Sequence, residues 1–194
     1  MGDLTVSAPA CAWFLLGAFV LAGMAQTAWF ATPVSRRFSQ PIDGGATFRG
    51  RRVFGKHKTL RGFVVMVPAA AMSFAALAAA IGPPATAGLW PLTIAGYAGL
   101  GACAGFGFMA GELPNSFLKR QLGIAPGERP HHPLGAAAQF LMDRVDSGVG
   151  MLLAVSVVVP TPAVTWLLVL TVGPSIHWAF SVLMFYLGLK ARPA

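Results

Sequence analysis

Five stretches of the chain, residues 10–31, 62–82, 88–110, 137–159 and 163–189, run almost without interruption in apolar residues. Each is close to the ~20 residues that a helix needs to cross the hydrocarbon of a bilayer. Nothing else in the sequence restricts the fold as much. Backbone polar groups in lipid must be satisfied within their own segment, and for runs of this length that means helix. Composition agrees: 56% of the 194 residues are hydrophobic and 10% are charged, against ~45–50% and ~25% in soluble domains. The expectation is an all-α, polytopic membrane helix bundle of about five transmembrane helices, forming one transmembrane domain over residues 1–194. The last run contains Gly173 and Pro174. It reads either as one span or as a short helix, a break and a helix over 175–189, which would make six.

The connections differ sharply. Residues 32–61 hold eight basic residues, Arg36, Arg37, Arg49, Arg51, Arg52, Lys56, Lys58 and Arg61. Residues 111–136 hold Lys119, Arg120 and Arg129, and the tail holds Lys190 and Arg192. Segments 83–87 and 160–162 carry no charge. Basic residues collect in cytoplasmic connections. Loops 32–61 and 111–136 are therefore expected inside, with the N-terminus out and the C-terminus in, in the cell (inner) membrane. The first run has no basic residue before it and no small-residue cleavage site before Pro33, so it reads as a retained span. The net charge of +8 fits basic loops beside an anionic leaflet better than a nucleic-acid partner.

Cys11 and Cys103 sit in apolar runs without metal-ligand spacing and read as small buried hydrophobes. Gly101/Gly105 and Gly107/Gly111 are small-xxx-small pairs in the third run. They predict close helix approach, with a homodimer contact as one use.

Six acids are present: Asp3, Asp43, Glu112, Glu128, Asp143 and Asp146. Asp143 and Asp146 lie in FLMDRVDSGVG at the start of the fourth run, with Ser147 one residue on. Spacing i, i+3 puts both carboxylates on one helical face. Like charges there are costly unless a cation pairs with them. Arg144 is adjacent but points about 100° away. A divalent metal would satisfy both acids; the alternative is a pair of acids favouring a helix N-terminus. Glu112, at the end of the third run, either completes the cluster or is a solvated helix-end charge. Lys119 and Arg120 in GELPNSFLKRQLGI, and Lys56, Lys58 and Arg61 in FGKHKTLRG, form a basic set on the same membrane face. Such donors suit phosphate, although inner loops are basic in any case.

Residues 50–57, GRRVFGKH, fit a P-loop through the lysine, but His57 stands where Ser or Thr must bind magnesium and no strand precedes it. His131, His132 and His177 have no ligand spacing and do not read as catalytic. GxSxG and HExxH are absent. An Asp-rich CDP-alcohol phosphotransferase signature would need four acids where one helix here has two. A transporter would place acids near the midplane of repeated halves. A structural protein with lipid-binding loops would tolerate Lys119→Arg or Asp143→Glu.

PIDGGATFRGRRVFGKHKTLRG (41–62) and GELPNSFLKRQLGIAPG (111–127) resemble the two cytoplasmic loops of CDP-archaeol synthases, and HWAFSVLMFYLGLK (177–190) resembles their last span. MDRVDS (142–147) resembles the signature of the related phosphatidate cytidylyltransferases. The resemblance implies a membrane nucleotidyltransferase that forms a CDP-lipid and pyrophosphate from CTP and a lipid phosphate, with Mg2+ required. The lipid is an archaeal-type ether lipid phosphate or phosphatidate. It implies Asp143 and Asp146 as catalytic metal ligands, with Glu112 as a third. Lys119, Ser116 and Arg120 match the SxxKR stretch at the CTP phosphates. Lys56, Lys58, Thr59 and Arg61 match the first-loop motif at substrate phosphates, and Arg144 stands beside the acid pair as a further substrate contact. Two positions depart from the family pattern: Glu112 replaces the usual Asp, and Gln26 stands where the first span would carry an Asn motif.

Overall fold

The computed structural model describes residues 6–125 and 133–189. Asp3, Glu128, Arg129, His131, His132, Lys190 and Arg192, which carried part of the loop and tail charge, lie outside the described residues. Five long helices form: α1 (Ala8–Ala31), α2 (Leu60–Ile81), α3 (Ile94–Gln121), α4 (Pro133–Val158) and α5 (Ala163–Tyr186). The chain is a polytopic membrane helix bundle. Four of the helices are long and apolar enough to cross a membrane. α4 is as long, but carries Asp143, Arg144 and Asp146 near its middle.

Packing joins α1 to α2, α2 to α3, α3 to α4, α4 to α5 and α5 back to α1, which closes a ring of alternating helices. One end is sealed by polar groups finding partners inside the apolar core. The Thr165 hydroxyl donates to the Ala8 carbonyl at 3.0 Å, Trp90 Nε1 to Pro160 O at 2.8 Å and the Tyr97 hydroxyl to Trp90 O at 2.7 Å. Trp90 and Tyr97 are fully buried there, and each meets its polar atom's needs, as buried groups must. The opposite end gathers the start of α2 and α4, the end of α1, α3 and α5, and the basic first loop.

α3 is the spine. Gly101 and Gly105 lie against the backbone of α2 at Ala70 and Met66, and Gly107 and Gly111 lie against α4 at Gly150 and Asp146. A Cβ on Gly105 would stand 2.8 Å from the Met66 carbonyl oxygen, and one on Gly111 2.9 Å from Gly150 Cα. The small-residue pairs expected to bring helices together do so within the chain. Their open faces are occupied by α2 and α4.

One expectation is corrected, and the choice between five and six spans falls to five helices. The segment 111–136 is not a loop throughout: α3 continues through Pro114 to Gln121, and α4 begins at Pro133. Proline removes one hydrogen bond and crowds the preceding turn, but neighbouring helices sustain such a helix in a membrane. For the same reason α5 passes through Pro174 unbroken, so the last run is one helix and not two.

The first loop is itself folded. A short helix (Val34–Phe38) leads to a two-stranded hairpin, β1 (Thr47–Phe48) and β2 (Arg51–Arg52). Its turn residues, Arg49 and Gly50, both have positive φ, 51° and 74°, the conformation that tight hairpins require. Ile42 N donates to Lys58 O at 2.9 Å and Leu60 N to Gln40 O at 3.0 Å, closing the loop at its base. Gly50 is thus a turn residue, and the GRRVFGKH stretch has no P-loop geometry.

Candidate active site

Once α3 is helical through Pro114, Glu112, Asn115, Ser116 and Lys119 fall on one stripe at i, i+3, i+4 and i+7. Gln139, Asp143, Asp146 and Ser147 form the facing stripe on α4. The glycine contacts hold the two helices close enough for these short side chains to meet. Asn115 Nδ2 donates to Asp143 Oδ1 at 2.7 Å and to Asp146 Oδ2 at 2.8 Å. Gln139 Nε2 donates to Asp143 Oδ1 at 2.7 Å and to Asn115 Oδ1 at 3.0 Å. Lys119 pairs with Asp143. The Ser147 hydroxyl donates to Glu112 Oε1 at 2.9 Å, and the Ser147 amide to Asp146 Oδ1 at 2.7 Å. Two carboxylates one turn apart are therefore made tolerable by an amide between them and a lysine beside them.

Asp43 builds the other half of the site from a distance. Its side chain is only 1% exposed. It accepts from Gly45 N, Phe54 N and Gly55 N at 3.1, 3.1 and 3.0 Å and from the Arg52 guanidinium. The Arg52 bond outweighs the cost of burial, and with the backbone donors it holds the Asp43 carboxyl well below the ordinary carboxylate range. This knot delivers Lys56, His57, Lys58 and Thr59 to the mouth of the bundle. Lys58 pairs with Glu112 across the site. Burial works against its ammonium, but Glu112, Asp146 and Asp143 prevail and keep its pKa above the usual value. Burial, then the cations Lys56, Arg120 and Lys58, push the His57 imidazole below its usual value, so it is neutral at pH 7. Arg61 donates to Phe30 O and to the Ser35 hydroxyl, with its guanidinium 4.2 Å from the Phe30 ring centroid.

Two cavities open from this assembly. The larger, about 620 Å³, is mainly apolar and reaches from Phe30 and Arg61 down to Leu15 and Leu16. Along α1, Phe30 to Leu15 is a rise of ~22 Å at ~1.5 Å per residue. The smaller, about 250 Å³, is lined by Asn115, Ser116, Lys119, Arg120, Asp143 and Asp146, with Phe54 at its edge. Four residues, His57, Lys58, Glu112 and His177, line both.

The residues singled out in the sequence thus divide. Ser116, Lys119, Arg120, Asp143 and Asp146 surround the polar cavity. Lys56, Thr59, Arg61 and Arg144 line the apolar one. Arg144 reaches back to Phe140 O at 2.7 Å and lies over the Phe140 ring. Asp143 and Asp146 share the Asn115 amide. Glu112 stands on the other side of Ser147, engaged by Lys58. Among the described residues no three acidic, histidine or cysteine side chains converge as a metal cluster. The donors available, two carboxylates with the Asn115 carbonyl and the Ser147 hydroxyl, are all hard oxygens. They suit a magnesium ion, which binds one or two carboxylates and completes its shell with water and substrate phosphates.

A family model for CarS-like CDP-archaeol synthase matches residues 10–193. The chain belongs to the CDP-archaeol synthase family. CDP-archaeol synthases of Methanoculleus marisnigri and Halorubrum lacusprofundi are 32% and 36% identical to it over 167 and 162 residues. These matches cover 79% of this chain and 89% and 83% of the relatives. The CDP-archaeol synthase of Pyrococcus furiosus is 33% identical over 86% of this chain and 92% of its own. A solved structure, described as an intramembrane enzyme for archaeal membrane lipids biosynthesis, superposes with a TM-score of 0.55 and 26% identity, covering 89% and 92% of the two chains. Membership makes the protein an integral membrane cytidylyltransferase of lipid biosynthesis.

Within this family frame, four site residues were not found from the sequence. Asn115 and Gln139 were hidden because their segments read as loop and apolar run; the i, i+3, i+7 stripe from Glu112 shows Asn115 once α3 is extended. Asp43 lay inside a motif but reads as a turn residue. His177 has no partner in sequence, and only the third dimension puts it beside Glu112.

Proposed function

We propose that the protein joins CTP to a lipid phosphate, forming a CDP-lipid and releasing pyrophosphate, with an archaeal-type ether lipid phosphate as the first substrate to try and phosphatidate as the second. The observation that carries this is the meeting of an apolar cavity and a polar cavity at one wall of four residues. The apolar cavity suits a lipid chain, with its phosphate at the mouth among Lys56, Thr59 and Arg61. The polar cavity offers Ser116, Lys119 and Arg120 to the triphosphate.

A lipid phosphate oxygen attacks the α-phosphorus of CTP, and the bond from that phosphorus to the oxygen bridging to the β-phosphate breaks. The nucleophile is already ionised, so no strong base is required. The barrier lies in bringing two polyanions together and in the charge on the leaving group. Lys119 and Arg120 are placed to hold that charge, and Lys58 to offset it at the junction. Asp143 and Asp146, with Asn115 fixing their spacing, would hold a magnesium ion, which supplies charge neutralisation on the phosphates. We place the loop end on the cytoplasmic side, where CTP is available and where basic connections accumulate.

The test is nucleotide incorporation by the purified protein in detergent, with labelled CTP, magnesium and either lipid phosphate. Wild-type protein is expected to give a labelled CDP-lipid, and Asp146→Asn to reduce it at least ~100-fold, the scale of a lost charge-stabilising group. Folded wild-type protein that yields no product with either lipid would refute the assignment for these substrates.

A further inference from the structure

Between Ala163 and Tyr186, α5 contains no charged residue. Its polar contribution to the site is His177, which lines both cavities and lies near enough to Glu112 for the two to interact electrostatically. Phe108 of α3 meets the imidazole edge-on, with ring centroids 6.1 Å apart at 68°. One turn further along the same face, Ser181 lines the apolar cavity and not the polar one.

We propose that His177 binds the phosphate of the lipid substrate, donating a ring N–H to it from the apolar side of the shared wall. This rests on the transferase reading given above. The other three wall residues are less suited to that task. Glu112 is an acceptor and repels phosphate. Lys58 pairs with Glu112 and faces the leaving-group charge at the junction. His57 stands among Lys56, Lys58 and Arg120, where cations already supply phosphate donors. His177 comes from α5, which also contributes Val169, Leu170, Ile176, Phe180 and Met184 to the apolar cavity. An imidazole always offers at least one N–H. Such a donor orients a phosphate, and orientation of the attacking oxygen governs an in-line displacement. The role is specific to the lipid: Asn115, Ser116, Lys119 and Arg120 serve the polar cavity and do not line the apolar one.

The experiment compares wild type with His177→Phe, which keeps a ring against Phe108 and removes the donor. KM is measured separately for lipid phosphate and for CTP, with thermal unfolding in detergent as the control for folding. Loss of a hydrogen-bond donor to a charged group predicts a rise in lipid KM of about tenfold or more, with CTP KM and the unfolding midpoint unchanged. A His177→Phe protein with wild-type lipid KM overturns the proposal, as does a rise confined to CTP. If His177→Phe does not fold, His177→Gln and His177→Leu give the same comparison, and equal lipid KM in the two overturns it. Wild-type protein that makes no CDP-lipid removes the transferase reading itself. An active wild type with an unaltered His177→Phe removes only the role of His177.

Discussion

Asn115 carries no charge, yet the acid pair depends on it. Its amide nitrogen satisfies Asp143 and Asp146 together, at 2.7 and 2.8 Å. Asn115→Leu leaves two carboxylates facing each other across an apolar side chain. Activity is expected to fall about 10-fold, the scale of a lost hydrogen bond to a charged group, and an initial-rate assay against magnesium concentration checks it. Asp43 acts at longer range. Its folded pKa is depressed, so its contribution is present above the unfolded value of roughly 3.9 and is lost as pH falls through the lower, folded one. Lys58 has the opposite sign: its pKa is raised, so its contribution is complete below roughly 10.4 and is lost as pH rises through the folded value. Amides 46–55 are thus expected to keep constant protection from hydrogen exchange, corrected for intrinsic rate, between about pH 5 and 9. Asp43→Asn should lose about tenfold or more of that protection.

At the scale of the helix, spacing between backbones sets the chemistry. Gly111→Ala places a methyl group 2.9 Å from Gly150 Cα and must push α3 and α4 apart. Overpacking of this kind costs about 1–3 kcal/mol, so a lower unfolding midpoint and reduced activity are expected together. Gly99→Ala meets nothing within 4 Å and should change neither, which makes it the matched control. The spans were legible because lipid demands length and hydrophobicity, and both are written in consecutive residues. The continuation of α3 to Gln121 was not, because Pro114 and the polar stripe after it look like a loop in one dimension. Asp143, Asp146, Lys119 and Arg120 could be picked out as charges out of place in an apolar chain. Asn115, Gln139 and His177 are neutral, and neutral polar residues near helix ends attract no notice until their partners are known.

For the whole molecule, the ring of five helices has one sealed end and one reactive end. A cysteine at position 49, on the hairpin of the first loop, is expected to react with a membrane-impermeant maleimide only from the cytoplasmic side. Labelling of intact cells and of inverted vesicles reads that directly. The ring also has a weak member in α4, which carries Asp143, Arg144 and Asp146 near its middle. Each such residue at the centre of a span costs roughly 2.5–3.5 kcal/mol in insertion, and the partners that offset this, Asn115 and Lys119, stand at the far end of α3. Biogenesis is therefore expected to follow an order, with the α2–α3 hairpin in the bilayer before α4 docks on it, so that α4 expressed without α3 inserts poorly in a membrane-insertion assay.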